Sequence, residues 1–188
     1  GEDSALRVNL MAHDADLPGR DVAHEQRQGL YAAWAWGFSG PTRISADLLA
    51  LRQDDTPDAG LPFDRDPAGA QSRGTGLLPP GLDFDNCYGH VDDYKHVDVT
   101  LLGLNVEHGF DNGAWLRNQL RLGEVRNDSI TSSPRIRNTP AASPGFEGAQ
   151  ARGDLKPRDQ TDPSLSNQPS PALPLATGGI GHALATGL

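Results

Sequence analysis

The sequence predicts an all-β chain, an antiparallel up-and-down segment of a transmembrane β-barrel with about six strands, an incomplete barrel and long loops. Three observations lead to this prediction. Apolar and polar residues alternate with a period of two in several segments, which is typical of strands that have one apolar face. Tight glycine-containing turns alternate with long polar segments between these strands. No run of about 18 apolar residues occurs, so no transmembrane helix is expected.

The clearest element is a predicted hairpin between Val97 and Arg126. An Asp-Asn-Gly turn at Asp111–Gly113 joins two arms that are each long enough to cross a bilayer. The apolar face of the first arm carries Thr100, Leu102, Leu104 and Val106, and that of the second carries Leu116, Leu120 and Leu122. The opposite face of the second arm carries Arg117, Gln119 and Arg121. We therefore expect one face of the hairpin to meet lipid and the other a polar lumen.

Four further segments show the same alternation. We predict strands over Ala5–His13, Arg27–Trp36, Arg43–Gln53 and, more weakly, Ile180–Leu188. Paired tryptophans near the end of the second of these strands are typical of an aromatic girdle at a membrane interface, although the face of a soluble sheet explains them equally well.

The connections alternate strictly between long and short. Residues 14–26, 54–95 and 127–164 are long and polar, whereas residues 37–42, 110–113 and Gly178-Gly179 are short. In an up-and-down barrel this alternation places every short turn on one rim and every long loop on the other. We treat residues 1–188 as one partial barrel domain in which residues 127–176 are largely loop.

Composition restricts the possible functions. The net charge of −9 and a pI near 4.9 disfavour nucleic acid as a partner, because phosphate binding needs a basic face. A single cysteine, Cys87, excludes an internal disulfide and a multi-cysteine zinc site. The opening residues GEDSALRV have neither a basic region nor an apolar one, so no signal peptide is expected.

Enzyme motifs are absent from the sequence. The run Gly37-Phe38-Ser39-Gly40 has its first glycine one residue too early for a nucleophile elbow, and there is no phosphate-binding loop. His90 and His96 flank Asp92 and Asp93, which are residue types that bind metal, but a solvated loop explains the cluster better. We therefore predict no enzymatic activity, no metal site and no cofactor.

Several runs resemble a known family. RVNLMAHDADLPGRDV at Arg7–Val22, GPTRISADLLALRQDDTPDAGLPF at Gly40–Phe63, EHGFDNGAWLRNQLRLGEVRNDS at Glu107–Ser129 and GDLKPRDQTDPSLSNQ at Gly153–Gln168 resemble TonB-dependent siderophore receptors of the ferric-catecholate-like branch. The resemblance implies an internal piece of a barrel of about 22 strands closed around a plug, in the outer membrane of a Gram-negative bacterium. Neither a TonB box nor a plug is identified within the 188 residues.

One segment departs from the family. Where the family has a strand after Gln168, this chain has PSPALPLATGG, with Pro169, Pro171 and Pro174. Proline cannot donate a backbone hydrogen bond, so these residues are not expected in a central strand.

The resemblance also implies a function, which is to bind and import ferric siderophores. The expected partners are a ferric siderophore, the TonB complex acting through the plug, and outer-membrane lipid; this piece alone is not expected to transport. The siderophore-binding candidates are Arg20, Tyr88, Tyr94, Arg126 and Arg135, and the lumen-facing residues are Arg117, Gln119 and Arg121. The main alternative is a soluble all-β binding module with long recognition loops, and an enzyme that uses the histidine–aspartate loop ranks below both.

Overall fold

A computed structural model describes residues 3–62, 78, 81–137 and 150–187. Seven strands in these ranges form one antiparallel sheet in which each strand pairs with its neighbours along the chain. They are β1 (Ser4–Asp16), β2 (His24–Trp36), β3 (Thr42–Thr56), β4 (Tyr94–Gly109), β5 (Trp115–Arg137), β6 (Gln150–Thr177) and β7 (Ile180–Ala185). The predicted up-and-down topology is confirmed, with seven strands in place of about six.

The register gives the sheet two chemically different faces. Because no residue is skipped in any pairing, side chains directly opposite each other across the strands lie on the same face. One row, which defines the apolar face, consists of Val8, Ala32, Leu48, Leu102, Leu122 and Leu165. The adjacent row, which defines the polar face, consists of Arg7, Ala33, Asp47, Gly103, Arg121 and Ser166.

Nothing in the described part of the chain covers the apolar face. Leu102 is 47% exposed, Leu122 43% and Leu165 72%. Apart from prolines, the buried hydrophobic residues within the described ranges are the small Ala23 and Ala114. Water-soluble domains bury such a face against a second layer, whereas a large continuous apolar surface marks contact with a membrane or with another protein.

Glycines with positive φ lie in each of the three short connections. Gly113 has φ 80° in the predicted Asp-Asn-Gly turn, where the Phe110 amide donates to the Ala114 carbonyl at 2.8 Å. Gly37 has φ 87°, and a Cβ there would lie 2.0 Å from the carbonyl oxygen of Thr42. The predicted turn at Asp111–Gly113 is confirmed.

The connections lie on two rims. The turn rim consists of residues 37–41, 110–114 and 178–179, and the described part of the loop rim consists of residues 17–23, 57–62, 78 and 81–93. The alternation of short and long connections is thus confirmed for these segments. Of the predicted 54–95 and 127–164 loops, residues 63–77, 79–80 and 138–149 lie outside the described residues. No described helix is long and apolar enough to span a membrane.

The prediction that residues 127–176 are largely loop was wrong. β5 continues to Arg137, and β6 occupies residues 150–177. These strands extend beyond the apolar rows of the sheet, so their sequences do not alternate between apolar and polar residues. Without that alternation, the sequence gives no period-two signal for a strand.

The exclusion of a strand at Pro169, Pro171 and Pro174 was also wrong, and the direction of the backbone groups explains why. The Thr186 amide donates to the Pro171 carbonyl at 3.2 Å, so odd-numbered residues of β6 direct their backbone groups away from β5. Pro169 and Pro171 therefore remove no hydrogen bond between β5 and β6. Pro174 directs its backbone groups towards the β5 side of the strand. Because β5 begins opposite Ala172, however, no residue of β5 lies opposite Pro174.

Candidate functional site

Arg20 connects two segments of the loop rim. Its Nε lies 2.7 Å from the Asp58 carboxylate, and its Nη1 donates to the carbonyl oxygens of Phe84 and Asn86. The Arg20 side chain is 17% exposed. Most of its N–H donors are thus bonded within the protein. Arg20, which the sequence predicted as a siderophore contact, holds residues 57–62 and 81–93 against residues 17–23.

Tyr88 also makes its contacts within the loop rim. Its hydroxyl donates to the Asp83 carbonyl at 3.1 Å and lies 3.2 Å from the Asp83 amide, which donates to it. The side chain is half-buried. Tyr88 therefore braces the turn between residues 83 and 88, close to the segment that Arg20 holds.

Tyr94 and Arg126 lie on β4 and β5, on the same face as Leu102 and Leu122. The Tyr94 hydroxyl donates to the Asp128 carboxylate at 3.0 Å, and the Tyr94 ring stacks on His96 at 4.8 Å. Arg126 is exposed. The two residues sit between the apolar rows and the loop rim, on the opposite side of the sheet from Arg121.

The backbone of Arg135 lies on β5, opposite Arg152, and its side chain lies outside the described residues. The five predicted siderophore contacts therefore do not form one cluster. Arg20 and Tyr88 lie in the loop rim, while Tyr94 and Arg126 lie on the apolar side of the sheet.

The register places Arg117, Gln119 and Arg121 together on the polar face, as the alternation predicts. The Arg117 Nε donates to Asn105 Oδ1 at 3.2 Å and lies 3.4 Å from the Glu107 carboxylate. That this face looks into a lumen stays a prediction.

Two glycines, which have no side chain, leave space at the centre of the polar face. A Cβ on Gly103 would lie 2.3 Å from the Asp47 carboxylate, and one on Gly123 would lie 2.6 Å from Ser164 Oγ. The side chains of Asp47 and Ser164 thus occupy the space above the glycines. They border an open recess of about 500 Å³, which Arg121 also lines.

The structure shows an important residue that the sequence did not reveal, Asp93. Asp93 as a whole is 5% exposed, and its carboxylate accepts hydrogen bonds from the Ser132 amide and hydroxyl, both at 2.8 Å, and from the His90 amide at 3.2 Å. A buried carboxylate is stable only when it is hydrogen-bonded in this way. The contact ties the end of the long loop to β5, and no local pattern links residues 39 positions apart.

The histidines near Asp93 do not gather around a common centre. His96 Nδ1 lies 2.6 Å from Asp54, and His90 Nδ1 lies 3.4 Å from Asp92. Among the described residues, no group of three or more histidine, cysteine, aspartate or glutamate side chains is arranged to hold a metal ion.

Comparison with known proteins identifies relatives of the whole chain. No family profile matches the sequence. The catecholate siderophore receptor Fiu of Escherichia coli K12 is 26% identical over 193 residues, which cover 100% of this chain and 25% of Fiu. The probable TonB-dependent receptor BfrD of Bordetella pertussis is 31% identical over 145 residues, which cover 76% of this chain and 19% of BfrD.

Solved structures agree with these relatives. The open form of the ferric-catecholate import receptor Fiu from Escherichia coli K12 superposes with a TM-score of 0.78 at 27% identity, covering 100% of this chain and 29% of Fiu. The siderophore receptor PiuA of Acinetobacter baumannii superposes with a TM-score of 0.73 at 23% identity, covering 100% of this chain and 26% of PiuA, and shows the shared fold.

The chain spans about a quarter of the length of the curated Fiu sequence it matches. These relatives are transport receptors and not enzymes, in agreement at the family level with the sequence prediction. The chain is therefore homologous to the TonB-dependent siderophore receptors and matches a segment of their β-barrel.

Proposed function

We propose that this chain forms part of an outer-membrane receptor that binds and imports ferric siderophores in a Gram-negative bacterium. One observation carries the proposal: an apolar row crosses six neighbouring strands with four of its side chains exposed and two half-buried, while the adjacent row carries charged, polar and small residues. A transmembrane barrel wall needs this arrangement, because one side meets lipid and the other a polar interior. The match of the whole chain to Fiu supports the same assignment.

In this proposal the apolar face contacts lipid. On β4 the alternate positions from Thr100 to Val106 lie on this face, a height of roughly 20 Å at about 3.3 Å per residue. Trp34 and Trp36 lie at the end of this band next to the turn rim, which fits an aromatic girdle at the membrane interface. The turn rim then faces the periplasm and the loop rim faces outward.

The loop rim is the proposed ligand-binding side. Arg20 and Tyr88 would act mainly by giving the external loops a fixed shape, since their polar atoms already bond to the loop backbone and to Asp58. Arg126 is exposed near the same rim but on the apolar side of the sheet, so it would contact an anionic iron complex only above the membrane surface. Tyr94 and Arg135 complete the proposed set.

The polar face would line the lumen. Arg117, Gln119 and Arg121 would then face the plug of a complete receptor, through which the TonB complex supplies energy. Import would require that plug and the remaining strands, so binding is the activity proposed for this segment. The exposed apolar face counts against the alternative of a soluble binding module, because water does not stabilise such a surface.

A segment exchange in Fiu tests the proposal. The part of Fiu that matches residues 1–188 is replaced by this chain, and growth of an iron-limited strain without other catecholate receptors is measured with a ferric catecholate as the iron source. We expect growth above that of a strain lacking Fiu. A chimaera that reaches the outer membrane folded, judged by heat-modifiable electrophoretic mobility, but binds no ferric catecholate would refute the proposal. Native Fiu is the positive control.

A further inference from the structure

Near the loop rim, the two sides of the sheet carry different charges. On the polar face, Lys95 on β4, Ser129 on β5 and Arg158 on β6 lie side by side in one row. Lys156 lies on the same face of β6, opposite Thr131. Over the same length of these strands, the opposite side carries Asp98, Asp128 and Asp159 together with His96 and Arg126. Cations thus predominate on the side that would face the lumen, and carboxylates on the other side.

The two cations of the row are close enough to hold one ligand. Ser129 lies between Lys95 and Arg158 and is only 8% exposed. Neighbouring strands are about 4.8 Å apart, so the Cα atoms of Lys95 and Arg158 are separated by roughly 10 Å. Each of these side chains is longer than half that distance when extended. Their charged ends can therefore approach the same ligand above Ser129.

The ammonium group of Lys95 is available to a ligand. Because β4 is paired on both sides, its two neighbours in the row are known, and they are Asp55 on β3 and Ser129 on β5. Asp55 accepts a hydrogen bond from Gln53. Within the described residues, no ion pair joins a carboxylate to Lys95. Lys95 differs in this respect from Arg20, whose guanidinium is bonded to Asp58.

The row lies beyond the apolar band, on the side of the loop rim. On β4 that band ends at Thr100, and Lys95 is five residues further along the strand. At about 3.3 Å per residue, the separation along the strand is roughly 16 Å. In the proposed receptor, a ligand that enters from the loop rim would meet Lys95 before it reaches the part of the wall that lipid surrounds.

We propose that Lys95, Lys156 and Arg158 form an anion-binding surface that selects ferric complexes by their charge. The inference rests on the proposed function. An iron(III) ion held by three catecholate dianions is a trianion, whereas an iron(III) trihydroxamate is neutral, and cationic N–H groups bond more strongly to anionic oxygens. Asp154 and Asp162 lie on the same face, two residues beyond Lys156 and four beyond Arg158. The attraction is therefore strongest between Lys95 and Arg158.

Ligand titration of the Fiu chimaera tests this surface. The chimaera in non-ionic detergent is titrated with the iron(III) complex of a synthetic tris-catecholate and with that of a synthetic trihydroxamate, and binding is followed by quenching of tryptophan fluorescence. We expect the trianion to bind more tightly, with a Kd that rises as sodium chloride is added, because salt screens charges. Equal affinity for the two complexes, or a Kd for the trianion that salt does not change, would overturn the proposal.

Removing the two charges beside Ser129 gives an independent reading. Lys95→Gln combined with Arg158→Gln keeps polar side chains but should weaken binding of the trianion by about tenfold or more. It should also reduce the salt dependence. Arg52→Gln is the matched control, because Arg52 is exposed on the apolar side of β3, and it should leave the Kd unchanged. An equal loss in both variants, or a loss in neither, would contradict the proposal.

A charge-preserving exchange separates charge from folding. Lys95→Arg combined with Arg158→Lys keeps both cations and should retain most of the affinity for the trianion, with heat-modifiable mobility confirming a folded barrel. If it binds as weakly as the double glutamine variant, charge is not the cause and the proposal fails. A chimaera that binds neither iron complex refutes the proposed function. One that binds the trianion equally well with and without the two charges refutes only the role of these residues.

Discussion

The two faces of the sheet are made by the same strands, yet they hold their side chains in different ways. On the apolar face, the row from Val8 to Leu165 consists of aliphatic residues that make no directional bonds. On the polar face Arg117 on β5 donates to Asn105 on β4, and in the loop rim Arg20 joins Asp58 and Asp93 joins Ser132. Any aliphatic residue can therefore serve in this row of the apolar face, whereas the contacts in the other regions require particular residues.

The largest expected effect comes from a charge on the apolar face. In the Fiu chimaera, where the remaining strands close the barrel, Leu102→Arg should lower the stability of the inserted protein by about 2–4 kcal/mol, the cost of an arginine at mid-membrane depth. The measurement is the fraction of protein that resists urea unfolding in vesicles. Arg121→Leu, one residue along on the neighbouring strand but on the polar face, is the matched control. Equal loss in both variants would show that the two faces do not differ.

A smaller but still large effect is expected at Asp93. Asp93→Ala leaves the buried Ser132 amide and hydroxyl without an acceptor, which costs about 1–3 kcal/mol. We expect faster amide hydrogen exchange in residues 87–93 and 130–132. Asp92→Ala is the control, because the Asp92 side chain is largely exposed. The same exchange rates in both variants would mean that Asp93 is not the anchor.

A substitution at Gly103 tests whether the polar face requires its close contact between Gly103 and Asp47. Gly103→Ala places a methyl group where the Asp47 carboxylate lies, so Asp47 must move, and we expect a loss of about 1 kcal/mol in the free energy of unfolding. Asp47→Ala in the same chain should restore most of that loss, because it frees the space. Urea unfolding in detergent micelles measures both variants, and additive losses would contradict the contact.

The smallest effect on overall stability is expected at Arg20. Arg20→Gln removes the ion pair with Asp58 while leaving every strand pairing intact, so the midpoint of unfolding should change little. Limited proteolysis should nevertheless cut residues 57–62 or 81–93 faster, because the clamp is lost. Arg126→Gln is the control. Because Arg126 is exposed on β5, its replacement should leave the cleavage rate unchanged.

Much of the architecture follows from local sequence. The alternation in Val97–Arg126 gives the faces of β4 and β5, and the Asp-Asn-Gly turn gives their connection, because both depend on residues close together in the chain. The extension of β5 and the existence of β6 do not follow from local sequence, because a strand that lies outside the apolar rows needs no alternation of apolar and polar residues. From sequence alone, Pro171 predicts a break in the strand. The structure shows that its backbone groups point away from β5, where no hydrogen bond is lost.

By itself the sequence determined the fold class, the two faces and the family resemblance, because each rests on a period of two or on a contiguous motif. Only the tertiary structure decided which side each proline faces, that Arg20 holds Asp58, and that Asp93 is buried against Ser132. The physical reason is that these contacts join residues far apart in the chain. Their geometry is set by how the strands are paired, and no local pattern records that pairing.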